Sequence, residues 1–137
     1  MIRILIVDDH ASIRDSFRSA FEQYDDLKVV GSVADAAFAL FFCRDKQPDL
    51  VLMDICTAGG TSGLAATEKI KEAFPAIKVV VMTGFDEVTY MPRAKACGAD
   101  AFVEKGQSMT FFIQVIRDVM DGKSYFPEQK TIPVQPG

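Results

Sequence analysis

The sequence has no tryptophan, a single histidine and three cysteines among its 137 residues. Cys43, Cys56 and Cys97 are odd in number and far apart, with no CxxC pair. That pattern indicates neither a disulfide framework nor a zinc site. Positive charge is not in excess: 15 basic against 19 acidic side chains leave a net charge of −4. Without a basic patch, sequence-independent binding to nucleic-acid phosphates is disfavoured. No apolar run approaches the ~20 residues needed to cross a bilayer, so no membrane partner is expected. The opening MIRILIVDDH has a short apolar stretch followed directly by acid. It makes a poor signal peptide, and a cytoplasmic location is expected. Proline is scarce in the body of the chain, yet Pro127, Pro133 and Pro136 make up half of the 6 prolines. A linker has this composition. The expected division is a domain over residues 1–122 and a C-terminal tail over 123–137.

The remaining composition is globular, 49% hydrophobic with 11 phenylalanines. A chain of this length buries roughly 68% of its unfolded surface and needs no staple. Four apolar runs stand out: Ile4–Val7, Leu50–Met53, Val79–Met82 and Ala101–Val103. They are continuous rather than alternating, as strands are when a parallel sheet is covered on both faces. A weaker run, Leu27–Val33, reads as an edge strand. Helical patterns lie between the runs and after the last one. Gly98 and Gly122 stand where helix C-caps are wanted. Pro92 falls inside the expected fourth helix. Proline is tolerated only in a first turn, so that helix should begin late, near Tyr90 to Pro92, after a loop. The alternation of strand and helix, five times over, implies an α/β doubly wound fold with right-handed crossovers.

In open α/β sheets, ligands bind beyond the carboxyl ends of the strands. Asp8 and Asp9 follow the first run, Asp54 the third, Thr83 the fourth and Lys105 the last. Taken singly, each is an ordinary turn, cap or solvated residue. Taken together they are harder to dismiss. Two carboxylates ~4 Å apart repel by about 4 kcal/mol at an effective dielectric of 20. Three of them converging on one edge call for a cation, or for one of them to be protonated. Hard oxygen ligands at an open site suit Mg²⁺. A divalent ion beside a free carboxylate, a hydroxyl and an ammonium is a phosphoryl-transfer constellation, with the carboxylate as in-line nucleophile.

The segments IRILIVDDH, PDLVLMDI, VVVMTG and ADAFVEK resemble the receiver domains of two-component response regulators. The resemblance runs from residue 2 to about residue 122. It implies a flavodoxin-like (βα)₅ fold with strand order 2-1-3-4-5. It further implies that Asp54 accepts a phosphoryl group from a sensor histidine kinase. Asp8, Asp9, Asp54 and the backbone carbonyl of Cys56 would hold Mg²⁺. Thr83 would turn toward the phosphoryl group and Lys105 would pair with it. Phe102 stands at the switch aromatic, whose ring would rotate inward when Thr83 moves. VDDH and GKSYFP further resemble receivers of transcription factors with a C-terminal helix-turn-helix. Contact with DNA would then go through an output domain absent from this chain, and homodimerisation would follow phosphorylation. Such a domain promotes its own phosphorylation and dephosphorylation but is not a turnover enzyme.

The chain departs from that pattern in two places. The loop Thr57–Gly63 has no proline, looks one residue longer than is common, and carries Gly59, Gly60 and Gly63. It is expected to be mobile beside the phosphorylation site. Gly106 replaces the proline usual after the lysine. In the second helix, over 35–46, Ala36, Ala39, Leu40 and Cys43 trace the face that should meet the sheet. Phe38 and Phe41 then fall to its side or outside. The plainer expectation is that both rings curl under and finish the core; the sharper one is an exposed apolar patch for a partner or a dimer. His10 should begin the first helix and face solvent. Other function classes fit less well. An aspartyl-phosphate hydrolase needs a second Asp where Cys56 stands. An FMN site needs a phosphate cradle where Asp8 and Asp9 would repel a phosphate. A degenerate receiver that acts only as a binding or dimerisation module remains the alternative.

Overall fold

The structure is a computed structural model that describes residues 1–55, 57, 62–84 and 90–127. Among these residues no helix is long and apolar enough to cross a membrane. Five strands, β1 (Ile2–Val7), β2 (Leu27–Val33), β3 (Leu50–Asp54), β4 (Lys78–Thr83) and β5 (Ala101–Glu104), form one parallel sheet in the order β2-β1-β3-β4-β5. The expected fold and strand order are therefore observed. Five helices connect and flank the strands: α1 (Ala11–Phe21), α2 (Ala39–Lys46), α3 (Gly63–Ala73), α4 (Met91–Ala96) and α5 (Met109–Met120).

The continuous apolar runs have a direct cause in the layering. Alternate residues of each strand enter different cores. Leu5, Val7, Val51, Met53, Val79 and Val81 face α2, α3 and α4. Ile4, Ile6, Leu50, Leu52, Val80 and Met82 face Phe17 and Phe21 of α1 and Phe112, Ile113 and Ile116 of α5. Neither face is left to solvent, so no polar residue interrupts the runs. The weaker β2 is an edge strand, as its composition implies. A bulge between Ile4 and Leu5 sets Gly31 opposite Leu5, where a Cβ would come within 2.8 Å of Leu5 Cδ1.

Local signals fix the helix ends. Ser62 caps α3 by accepting from the Ala65 N–H at 3.2 Å, and Ser108 caps α5 through the Phe111 N–H at 3.1 Å. Gly98 and Gly122 adopt φ of 90° and 89° just past α4 and α5, the left-handed conformation that costs glycine nothing. Helix α4 does begin late, with Pro92 in its first turn. The loop expected before it, over 85–89, lies outside the described residues.

The second helical segment differs from expectation in one respect. It opens with a 3-10 turn, Ala36–Phe38, capped by Asp35, before α2 proper. Ala36, Ala39 and Cys43 are buried against the sheet as expected. Phe38 and Phe41, however, are 58% and 61% exposed and do not curl under. The small residues bring the helix axis close to the sheet, and the inner flank is already filled by Leu40 and Phe42. No room remains below for two more rings. Cys43 is wholly buried, which pushes its thiol up to about 12.

Candidate phosphoacceptor site

Strand β1 lies beside β2 on one flank and β3 on the other, and the crevice at such a reversal opens at the carboxyl ends. Asp8 follows β1 and Asp54 closes β3, so both carboxylates reach that rim, Asp8 fully buried and Asp54 nearly so. Backbone bonds hold them there. The Asp8 N–H donates to the Val33 carbonyl at 3.0 Å, and the Ile55 N–H to the Met82 carbonyl at 3.0 Å.

Lys105 comes from the far side, just past β5. Its own N–H donates to the Thr83 carbonyl at 2.8 Å, extending the β4–β5 ladder. From that position Nζ lies 2.9 Å from Asp8 Oδ2 and 3.2 Å from Asp54 Oδ1. Burial by itself would push the ammonium down, but the contact with Asp8 and the negative charges of Asp54 and Asp8 outweigh it. The net effect is a Lys105 pKa above the ordinary 10.5. The lysine therefore stays charged. The Thr83 hydroxyl closes the rim on the β4 side and donates to the Gly84 carbonyl at 3.0 Å.

Asp9 is partly exposed next to Asp8, and His10 caps α1. His10 Nδ1 lies 3.1 Å from Asp8 Oδ1 and 3.0 Å from Asp9 Oδ1. The imidazole is thus solvent-exposed, as anticipated, yet it also touches both carboxylates. Asp9 Oδ1 is shielded from solvent, and apart from the His10 ring nitrogen no donor meets it among the described residues. Hard anionic oxygens with a lone pair left over, gathered at an open rim, fit a small hard cation such as Mg²⁺. His10 adds a softer nitrogen donor to the same group. The remaining residue expected to bind metal, Cys56, lies outside the described residues.

Three participants were not legible beforehand. Arg14, four positions into α1, reaches back so that Nη1 donates to the Asp8 carbonyl at 2.7 Å; helical side chains lean toward the N-terminus, which is the only signal that could have found it. Thr57 is buried, and its Oγ1 accepts from the Ala36 N–H at 3.1 Å. The residues after Asp54 are thereby tied to the start of the α2 segment. Gly63 donates its N–H to the Ile55 carbonyl at 2.8 Å, and a Cβ there would overlap the Asp54 carbonyl oxygen. The third glycine of the loop is therefore a close-packing residue. The rest of the loop expected to be mobile, 58–61, lies outside the described residues. Phe102 is fully buried beneath α4, its ring already inward in this structure.

The family model of the response regulator receiver domain matches residues 4–117. The chain belongs to the response regulator receiver family. It is therefore a phosphoacceptor module of two-component signalling. Receiver domains bind Mg²⁺ at an acidic pocket of this kind. Among curated relatives, the oxygen regulatory protein NreC of Staphylococcus carnosus is 34% identical over 130 residues, covering 95% of this chain and 60% of that protein. NreC of Staphylococcus epidermidis is 33% identical over 124 residues, 90% of this chain and 57% of the relative. The receiver thus spans somewhat more than half the length of the curated relatives it matches. Among solved structures, a LuxR-family response regulator from Aurantimonas superposes with a TM-score of 0.84 at 29% identity, covering 91% of this chain and 89% of that one. The receiver of the putative response regulator NarL from Mycobacterium tuberculosis gives 0.82 at 24% identity, over 89% and 98%, and supports the fold.

Proposed function

We propose that Asp54 is the phosphoacceptor of this receiver, taking its phosphoryl group from a sensor histidine kinase in the cytosol. The observation that carries this reading is the position of Lys105 Nζ between Asp8 and Asp54, at 2.9 and 3.2 Å. Asp8, Asp9, Asp54 and the Cys56 carbonyl would hold Mg²⁺, which would offset the negative charge of the phosphoryl oxygens. A carboxylate oxygen of Asp54 attacks phosphorus, the phosphorus–nitrogen bond to the donor imidazole breaks, and an acyl phosphate remains on Asp54. Lys105 neutralises one phosphoryl oxygen, and the Thr83 hydroxyl turns from Gly84 to donate to another. Phe102, fully buried, stands at the position of the switch aromatic. No outside substrate is turned over.

We assign the receiver proper to residues 1–122 and a C-terminal tail to 123–137. By analogy with the longer relatives, phosphorylation promotes homodimerisation and controls transcription through a DNA-binding output domain. A fluoride-stabilised phosphoryl mimic and DNA-bound dimers figure in structures of RcsB, which at 21% and 20% identity lend fold-level support only.

Intact mass after incubation with a small acyl-phosphate donor, with and without Mg²⁺, tests the assignment. A Mg²⁺-dependent gain of one phosphoryl group in wild type and none in Asp54→Asn is the expected result. No gain in either would leave a degenerate receiver that only binds or dimerises.

A further inference from the structure

Strand β5 is an edge of the sheet, and an exposed edge offers unpaired amides to any passing chain. Here that edge is covered by the segment that follows α5. Helix α5 ends in a double-bonded turn: the Gly122 N–H donates to the Val119 carbonyl at 3.0 Å and the Lys123 N–H to the Asp118 carbonyl at 2.9 Å. With Gly122 at φ 89°, this motif reverses the chain and sends it back along β5. Tyr125 then pairs in parallel with Ala101, and its carbonyl accepts the Phe102 N–H at 2.9 Å.

The side chains straddle the edge. The Tyr125 ring meets Phe111 of α5 edge-on, at 5.2 Å between centroids. The Phe126 ring packs on the opposite core, beside α4, with Lys95 Nζ 4.9 Å above it. Each anchor is modest, and the described segment makes one backbone hydrogen bond to the strand. Such a seat opens readily compared with the rest of the sheet.

The strand it rests on is mechanically tied to the acidic site. Three residues beyond Phe102, Lys105 makes its backbone bond to Thr83 and its ion pairs to Asp8 and Asp54. Because the Phe102 ring is fully buried already, inward rotation leaves little change to transmit. The Phe102 amide, bonded to the Tyr125 carbonyl, joins the strand to the segment after α5.

We infer that residues 123–127 form a clasp on the β5 edge that is released when Asp54 carries a phosphoryl group, passing the state of the site into the chain beyond residue 127. The inference rests on the phosphoacceptor reading of Asp54. A phosphoryl group on Asp54 re-seats the Lys105 ammonium, which without it bridges Asp8 and Asp54, and the end of β5 that carries Lys105 shifts with it, away from the Tyr125 carbonyl.

Amide hydrogen exchange on the full chain, with and without beryllofluoride and Mg²⁺ as the phosphoryl mimic, tests it. Protection of the Phe102 amide should fall about tenfold or more with the mimic. The variant Tyr125→Ala/Phe126→Ala should show the same loss without the mimic, while β1 and β3 amides keep their protection. Should the mimic alter amides beside Asp54 and Lys105 yet leave Phe102 unchanged within about twofold, the clasp is wrong and the phosphoacceptor reading stands. Full protection of Phe102 in the double variant also overturns the clasp. Absence of any change near Asp54 overturns both.

Discussion

Gly63→Ala is the sharpest single test of how the site is built. Gly63 opens α3 and lies directly on the last turn of backbone before the loop. A Cβ there would overlap the Asp54 carbonyl oxygen, approach its carbonyl carbon to 2.9 Å and come within 3.1 Å of Ile55 Cα. All three neighbours are backbone atoms, held in turn by the Ile55–Met82 and Gly63–Ile55 hydrogen bonds. No flexible side chain can yield. Inserting one carbon into a rigid contact costs about 1–3 kcal/mol, occasionally more. Replacing glycine by alanine in a helix returns at most ~1 kcal/mol, and less at its first position. The net expectation is a destabilisation of roughly 2 kcal/mol, near the upper part of the range for point mutants. For a domain of this size that corresponds to a fall in Tm of about 6–10 °C. Because the strain falls on the Asp54 backbone, phosphorylation by the small donor should slow as well. Urea and thermal unfolding of Gly63→Ala, with Gly106→Ala as control, measure the effect. Nothing lies within 4 Å of a Cβ at Gly106, so that control should be neutral or stabilising by about 0.4–1 kcal/mol through the unfolded chain. If Gly63→Ala matched or exceeded wild type in stability, the close approach of α3 to Asp54 would be refuted.

Three further outcomes follow. Lys105→Ala removes the cation between two buried carboxylates, and stranding a buried charge costs about 3–5 kcal/mol at most; unfolding in chelator should show a loss in the lower part of that range, and added Mg²⁺ should restore part of it. An equal loss with and without Mg²⁺ would count against a shared cation site. The Arg117 guanidinium hydrogen-bonds both oxygens of Asp26 and holds its carboxyl below the usual 3.8. The stability this pair lends is therefore whole above pH 3.8 and is lost as pH falls through the lower folded value. Titration of Asp26 by NMR should return to the ordinary value in Arg117→Gln. Phe38→Glu/Phe41→Glu should keep the urea midpoint within about 0.5 kcal/mol of wild type, since both rings already face solvent; a collapse of the fold would mean that the rings finish the core after all.

Much of this molecule was legible in its sequence because the relevant signals are local or topological. Continuous apolar runs such as Leu50–Met53 are short enough, and bounded closely enough by turn residues, to read as strands covered on both faces, and the helices between them dictate parallel order. Once that order is fixed, whatever follows each strand must meet at one rim. Hence Asp8, Asp54, Thr83 and Lys105 could be gathered before any coordinate was known. Pro92 and Gly98 marked helix ends because their backbone limits act within one turn.

What the tertiary structure alone decided are contacts between segments distant in sequence. The same loop that reads as glycine-rich slack contains Gly63, whose missing Cβ is required by the Asp54 backbone nine residues earlier. Apolar character cannot say which way a ring points, so Phe38 and Phe41 could be placed only after α2 settled on its three small residues. Linker-like composition likewise hid the return of Tyr125 to the β5 edge. Sequence periodicity reports how a residue relates to its own helix or strand. Packing reports which neighbour occupies the space first, and that is settled only when all the elements compete for it together.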